Sequence, residues 1–150
     1  MAKHTAREIA DYFLASVDPD SGDNLSNLKL QKLVYYAQAF HLAIKDGEPL
    51  FDDTIEAWAN GPVVPSLFHE FKAHESGAIP RPESVDLSRF DAETREILDE
   101  VWNVYGQFSA WRLRDMTNEE PPWREARPSR PISQESMRNY FRTLVIDVSA

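Results

Sequence analysis

Histidine and glutamate lie close together in the segment His69-Glu70-Phe71-Lys72-Ala73-His74, and these residue types bind zinc or transfer protons. The zinc-protease motif His-Glu-x-x-His puts both histidines on one face of a helix. Here the histidines are five positions apart, which places them roughly 140° apart around a helix. We therefore favour histidines on a helix surface, and we keep a hydrolase-like or metal-dependent enzyme that uses His69, Glu70 and His74 as the alternative.

No other pattern in the sequence indicates catalysis or cofactor binding. The 150 residues include no cysteine, which excludes disulfides, thiolate nucleophiles and cysteine-ligated zinc. There is no Gly-x-Ser-x-Gly elbow and no glycine-rich phosphate loop, since the five glycines are scattered singly. The sequence thus predicts a protein that is not an enzyme, needs no metal or cofactor, and acts by binding.

The net charge of −9 is unevenly distributed along the chain. Residues 45–56 and 83–100 carry −4 and −5, whereas residues 112–142 carry +2. Acidic surfaces argue against nucleic acid or anionic lipid as partners. Tryptophan and arginine are enriched at the hot spots of protein interfaces, and in the basic third we select as candidate partner contacts Trp111, Arg112, Trp123 and Arg124. The alternative is that the tryptophans belong to the core and the arginines pair with local acids.

Helical periodicity dominates the elements that must position these residues. The clearest helix precedes Gly47, and its apolar stripe comprises Leu30, Leu33, Val34, Ala37, Phe40, His41 and Ile44. Because this helix is apolar around most of its circumference, we expect it at the centre of the domain. Capping residues predict further helix starts at Thr5, Asp91, Ser109 and Ser133, and a second capping box from Thr117 to Glu120.

The segment around residues 54–65 has a different pattern. Asn60-Gly61 favours the tight turn of a hairpin, and the prolines that follow restrict any strand to an edge. We expect Gly61-Pro62 to be a backbone turn and the flanking arm to be extended, with unpaired backbone groups that accept a partner strand. Its apolar side chains are then exposed, and we select Trp58, Val63, Val64 and Pro65 as partner contacts. The whole chain is predicted to be mainly α, one compact helical domain over residues 1–150 with about six helices and this small β-hairpin or extended arm.

Several strings in order resemble a known family. They are Asn27-Leu28-Lys29-Leu30-Gln31-Lys32-Leu33-Val34-Tyr35-Tyr36-Ala37-Gln38, Phe51-Asp52, Glu56-Ala57-Trp58, Gly61-Pro62-Val63-Val64-Pro65, Tyr105-Gly106, Thr117, Glu120, Pro122-Trp123 and Tyr140-Phe141. In this order they resemble the Panacea domain, which occurs in SocA-like antitoxins and in many bacterial proteins associated with phages or mobile elements. The resemblance covers residues 6–141, and it departs at Asn118, where family members often have His. Leu30, Leu33 and Tyr36 are most simply core residues of this motif.

The resemblance implies a cytoplasmic antitoxin that neutralises a protein toxin encoded next to it. Many members bind the toxin directly, and the SocA type also delivers it to the ClpXP protease as an adaptor. The implied partners are therefore a cognate toxin and, for an adaptor, ClpX, with homo-oligomer formation left open. A non-catalytic interaction protein of a mobile element, without a toxin partner, is a further alternative. No apolar run in the sequence is long enough to form a signal-peptide core or a membrane span, in agreement with a soluble cytoplasmic protein.

Overall fold

The computed structural model describes residues 2–18, 25–74 and 77–149, with side chains through Val145. These residues form seven α-helices and one small antiparallel sheet, which confirms the predicted mainly α class. The elements are α1 (Ala6–Ser16), α2 (Asn27–Ile44), β1 (Glu56–Trp58), β2 (Gly61–Val63), α3 (Pro65–Phe71), α4 (Ala92–Tyr105), α5 (Ala110–Asn118), α6 (Pro121–Ala126) and α7 (Gln134–Ser149). Two short 3-10 turns span Lys72–His74 and Leu87–Arg89.

The central helix is α2, as its apolar circumference predicts. Helices α1, α3, α4, α5 and α7 and strand β2 all pack against it. Along most of its length both apolar and polar side chains are buried, so the helix is enclosed by the rest of the fold. The predicted stripe is buried except near its end, where Phe40 is half-buried and Ile44 is exposed.

Local capping chemistry explains where most helices begin. Thr5 and Glu8 form the predicted capping box at α1, in which each side chain accepts a backbone N–H of the other residue. The side chains of Ser26, Asp91 and Ser109 accept N–H groups in the first turns of α2, α4 and α5. These starts are confirmed, and the Ser133 hydroxyl likewise accepts the N–H of Ser136 at the start of α7.

The prediction of a second capping box from Thr117 to Glu120 was wrong. Thr117 lies inside α5, where its hydroxyl donates to the Arg114 carbonyl, and the Glu120 side chain makes no cap for α6. Pro121 and Pro122 instead start α6 in the first turn, where a missing N–H costs nothing. This extra helix raises the number from the expected six to seven.

No helix within the described residues has the length and hydropathy needed to cross a lipid bilayer.

Candidate functional site

The predicted arm is a regular hairpin. β1 and β2 pair antiparallel with Trp58 opposite Gly61 and Glu56 opposite Val63. Gly61 has a φ of +105°, which a residue with a side chain rarely adopts. The predicted hairpin is therefore confirmed, but its turn lies at Ala59-Asn60. Gly61 and Pro62 belong to β2, so the expectation of a backbone turn at Gly61-Pro62 was wrong, because both residues pair with β1.

The hairpin edge is not free to accept a partner strand, which corrects the expectation of an open arm. The outer edge of β1 is covered by residues 129–132, where the Ala57 N–H donates to the Arg130 carbonyl (2.9 Å) and the Ser129 N–H donates to the Ala57 carbonyl (2.8 Å). Another bond runs from the Ile132 N–H to the Ile55 carbonyl (2.7 Å). Because a distant part of the chain supplies these partners, strand addition at β1 would have to displace it.

The apolar side chains of the arm are also not exposed as expected. Val63 and Val64 are buried, and Val64 is in the main core. Pro65 is half-buried at the first position of α3. Of the four residues selected in this arm, Trp58 and Pro65 thus retain surface that a partner reaches without rearrangement.

The structure brings Trp58 and Trp123 together. The Trp123 indole N–H donates to the Trp58 carbonyl (2.8 Å), which ties α6 to β1. Trp123 is buried beneath the guanidinium of Arg127, as the alternative of a core tryptophan predicts. Trp58 is half-buried, with its indole N–H donating to Glu56 (2.8 Å) and its ring edge-to-face with Phe68.

Trp111 and Arg112 lie on the side of α5 that faces away from the core. Trp111 is 56% exposed, more than any other large apolar side chain in the described residues. The Arg114 guanidinium is 4.9 Å from the centre of its ring, and Arg112 is exposed beside it. We call Trp111, Arg112 and Arg114 the α5 patch. Arg124, on the neighbouring helix α6, is exposed as well.

A buried polar cluster lies under the hairpin, and sequence analysis missed it. Lys32 has no exposed surface, and its ammonium donates to the Pro62 carbonyl (3.2 Å). Burial without a carboxylate partner lowers the pKa of Lys32 to about 7. A Cβ added at Gly61 would lie 2.5 Å from Lys32 Cε and 2.9 Å from the Thr117 hydroxyl. Gly61 is therefore required by close packing as well as by its φ.

Glu120 is the acidic member of this buried region. Its carboxylate accepts hydrogen bonds from the hydroxyls of Tyr36 (3.0 Å) and Tyr35 (3.4 Å), which lie on α2. Burial raises its pKa to about 7, although the two tyrosine hydrogen bonds act in the opposite direction. The motif residue Tyr36 is thus more than a core residue, because it holds Glu120 at the start of α6.

One feature of the sequence could have predicted the buried polar cluster under the hairpin. A helix that is buried all round must also bury its polar residues, and α2 carries Gln31, Lys32 and Gln38 between its apolar positions. Buried polar groups need partners, so these residues mark where loops must cross the helix.

The histidine segment does not form a metal site. His69 is exposed on α3, and the Glu70 carboxylate is held by Arg7 (2.6 Å). His74 lies beyond the helix end in the 3-10 turn. Within residues 2–18, 25–74 and 77–149, no group of three or more His, Asp or Glu side chains is arranged to hold a metal ion.

Asn118 occupies the position where members of the resembled family often have His. It is the last residue of α5, directly after the buried Thr117. Its side-chain oxygen is buried and has no hydrogen-bond partner within the described residues. The departure therefore leaves a polar atom unsatisfied beside the buried cluster.

Comparisons with known proteins identify the family. Residues 30–124, more than half of the chain, match the family described as Antitoxin SocA-like, Panacea domain. The chain is also 46% identical over 50 residues to Antitoxin SocA of Caulobacter vibrioides (strain NA1000 / CB15N), a segment that is 33% of this chain and 26% of that relative. The match therefore spans about a quarter of the relative's length. No solved structure matches the chain. On the strength of the family match, this chain belongs to the Antitoxin SocA-like, Panacea domain family.

Proposed function

We propose that this protein is an antitoxin that binds and neutralises a cognate protein toxin encoded by a neighbouring gene. Membership in the SocA-like family supports an antitoxin role, and the named relative is itself an antitoxin. The buried polar side chains Gln31, Lys32 and Gln38 of α2 hold neighbouring segments of the fold through hydrogen bonds. The expected partner is therefore a protein, held in a one-to-one or other fixed ratio.

The exposure of Trp111 is the observation that supports a partner-binding surface on α5. A tryptophan left 56% exposed gives up apolar burial that the fold could have used. Arg112 is exposed beside it and can donate charge-assisted hydrogen bonds to acidic or carbonyl groups of a partner. The Arg114 guanidinium lies over the Trp111 ring and is already paired with Asp115 (2.7 Å). Tryptophan and arginine are the side chains that dominate interface energetics. We therefore assign the α5 patch to the toxin contact, with Arg124 on the adjoining helix α6 as a neighbour. Trp58 on β1 and Pro65 on α3 stay further candidate contacts because both retain exposed surface.

Binding to the product of the neighbouring gene tests this assignment. Trp111→Ala should weaken co-purification and raise the dissociation constant at least about tenfold, equivalent to about 1.4 kcal/mol. Leu87→Ala is the matched control, because Leu87 is another exposed large apolar side chain on a different part of the surface. Equal affinity of the Trp111→Ala and wild-type proteins would remove the α5 patch from the interface.

Delivery to ClpXP is the finer form of the proposal. An adaptor lowers the amount of toxin, whereas a blocking antitoxin leaves the toxin intact in a stable complex. Toxin half-life should be measured during co-expression in cells with and without ClpX. A half-life that shortens only when both antitoxin and ClpX are present supports the adaptor, and an unchanged half-life together with neutralisation supports blocking.

A further inference from the structure

An apolar groove lies between the C-terminal end of α2 and the helices α4 and α7. Its volume is about 580 Å³, and its apolar lining includes Phe40, Ile44, Ile97, Val104, Tyr105 and Leu144. Both α4 and α7 pack on α2, and the groove separates them from each other. Among the described residues, the three helices thus form three sides of a bundle whose fourth position is open.

The groove contains apolar surface that the fold does not use. Ile44 is 43% exposed and Val104 is 38% exposed, and these are two of the four exposed large apolar side chains in the described residues. Ile44 ends the stripe that keeps the rest of α2 in the core. A contiguous exposed apolar surface of this kind marks an interaction site more often than an isolated exposed residue does.

The walls of the groove determine what secondary structure fits it. All three walls are α-helices, whose interior backbone groups are already hydrogen-bonded within each helix. They offer no free strand edge, so an entering segment must satisfy its own backbone groups. A helix does this, and an amphipathic helix in an apolar groove is a common mode of recognition.

The charged residues beside the groove determine which charge a bound helix should carry on the flank that faces them. Glu100 lies in the α4 wall, and Glu96 precedes it by one helical turn. Both are exposed, and neither forms an ion pair with a described residue. Glu93, one turn earlier again, is paired with Lys45. Arg142 on α7 is an exposed base, but the α7 residues that line the groove are Leu144 and Val145. The α4 side is therefore acidic and favours Lys or Arg on the flank that faces it.

We propose that this groove binds an amphipathic helix of the toxin whose flank toward α4 carries Lys or Arg; the identity of the partner as a toxin rests on the proposed function. A second copy of this chain fits less well. A twofold-symmetric dimer that joined the two grooves through α4 would place Glu96 and Glu100 of each copy near the same residues of the other. Like charges brought together in this way oppose association.

A peptide experiment tests the groove without the toxin. Two labelled 18-residue helical peptides share one leucine face, and one carries Lys and the other Glu at the remaining positions. In fluorescence anisotropy at low salt, the Lys peptide should bind the full chain at least about tenfold more tightly than the Glu peptide. Ile44→Gln and Val104→Gln should each weaken Lys-peptide binding at least about fivefold, and Glu100→Lys should reduce the preference for Lys over Glu.

Matched controls separate the groove from the general acidity of the chain. Leu87→Gln replaces an exposed apolar side chain elsewhere, and Glu135→Lys makes the same charge change at the other end of α7. Neither should alter Lys-peptide binding by more than about twofold. If Glu135→Lys and Glu100→Lys have equal effects, or if Val104→Gln leaves binding unchanged, the groove is not the binding site and the proposal is wrong.

A second experiment tests the groove with the toxin itself. Val104→Gln should reduce co-purification with the neighbouring gene product while the melting temperature stays that of the wild type. If the wild type binds this product and Val104→Gln binds it equally well, the groove proposal fails and the antitoxin proposal stands. If the wild type itself does not bind the product, the antitoxin proposal fails. A wild-type dimer that Val104→Gln converts to a monomer, by light scattering after size exclusion, would overturn the proposal in favour of self-association.

Discussion

Two buried ionisable residues make the stability of this protein depend on pH in opposite senses. The folded pKa of Glu120 is raised to about 7, so between pH 4.5 and pH 7 the folded protein keeps a proton that the unfolded chain releases. Its contribution to the free energy of unfolding therefore falls as the pH rises through this window. The folded pKa of Lys32 is lowered to about 7, so its contribution rises between pH 7 and pH 10.5. The combined contribution of these two residues to the free energy of unfolding is therefore smallest near pH 7.

Glu120→Gln tests the acidic side of this balance. The amide cannot ionise, so the variant does not lose stability through this group as the pH rises. The free energy of unfolding of Glu120→Gln relative to wild type should increase from pH 5 to pH 7, by up to about 1.4 kcal/mol per pH unit. Urea denaturation of both proteins at a series of pH values measures this difference in the free energy of unfolding.

The control for this experiment is Glu125→Gln on the exposed surface of α6. Its free energy of unfolding relative to wild type should stay constant over the same pH range. A constant value for Glu120→Gln as well would mean that the buried carboxylate ionises at its ordinary pKa.

At the scale of elements, α2 organises the fold through its polar side chains as much as through its apolar ones. Gln31 accepts the Val64 N–H (2.9 Å) and holds the start of α3, and Lys32 donates to the carbonyl of Pro62 in β2 (3.2 Å). Gln38 holds the loop before β1, because its amide donates to the Phe51 carbonyl (2.7 Å) and accepts the Leu50 N–H (2.7 Å). The buried loops obtain from α2 the hydrogen bonds that water would otherwise supply.

Gln38→Leu should be strongly destabilising for this reason. The substitution keeps a side chain of similar size in the core but leaves the Leu50 N–H and the Phe51 carbonyl buried without their partner. We expect a loss of about 2–4 kcal/mol in the free energy of unfolding. Gln107→Leu, at an exposed position after α4, should change stability by less than about 0.5 kcal/mol. Similar values for the two variants in urea denaturation would contradict the anchoring role of Gln38.

At the scale of the whole molecule, an aromatic cluster joins the end of the chain to its centre. Phe141 on α7 is fully buried and lies edge-to-face against Tyr35, Tyr36 and Phe40 of α2. The ring of Tyr36 is also stacked on Tyr105 of α4, with ring centres 3.9 Å apart. Helices that are distant in sequence thus meet in one aromatic cluster, and two of its members, Phe40 and Tyr105, also line the groove.

Phe141→Ala should therefore destabilise the entire fold. Removal of a fully buried phenylalanine leaves a cavity and should lower the free energy of unfolding by about 3–5 kcal/mol. The neighbouring Arg142→Ala on the exposed side of α7 should have an effect below about 0.5 kcal/mol. A biphasic unfolding curve for Phe141→Ala, with α7 lost before the rest, would show that α7 is not part of the cooperative core.

Features that depend on neighbouring residues could be predicted from the amino-acid sequence alone. Thr5, Asp91 and Ser109 start helices because each side chain accepts the N–H three residues ahead. A hairpin forms beside Asn60-Gly61 because Gly61 adopts a positive φ. The ordered strings around α2 and the hairpin were likewise sufficient to indicate the family.

Which surfaces are available to a partner depends instead on how distant segments pack in the folded protein. Residues 129–132 cover the hairpin edge, and the core encloses Val63 and Val64, although local sequence favoured an open arm. Ile44 and Val104 are exposed because α4 and α7 pack on α2 without closing over its end. These exposures and burials depend on contacts between segments far apart in the chain, which periodicity and capping patterns do not specify. For the same reason, the burial of Lys32 and Glu120 could not be predicted from the residues next to them in the sequence.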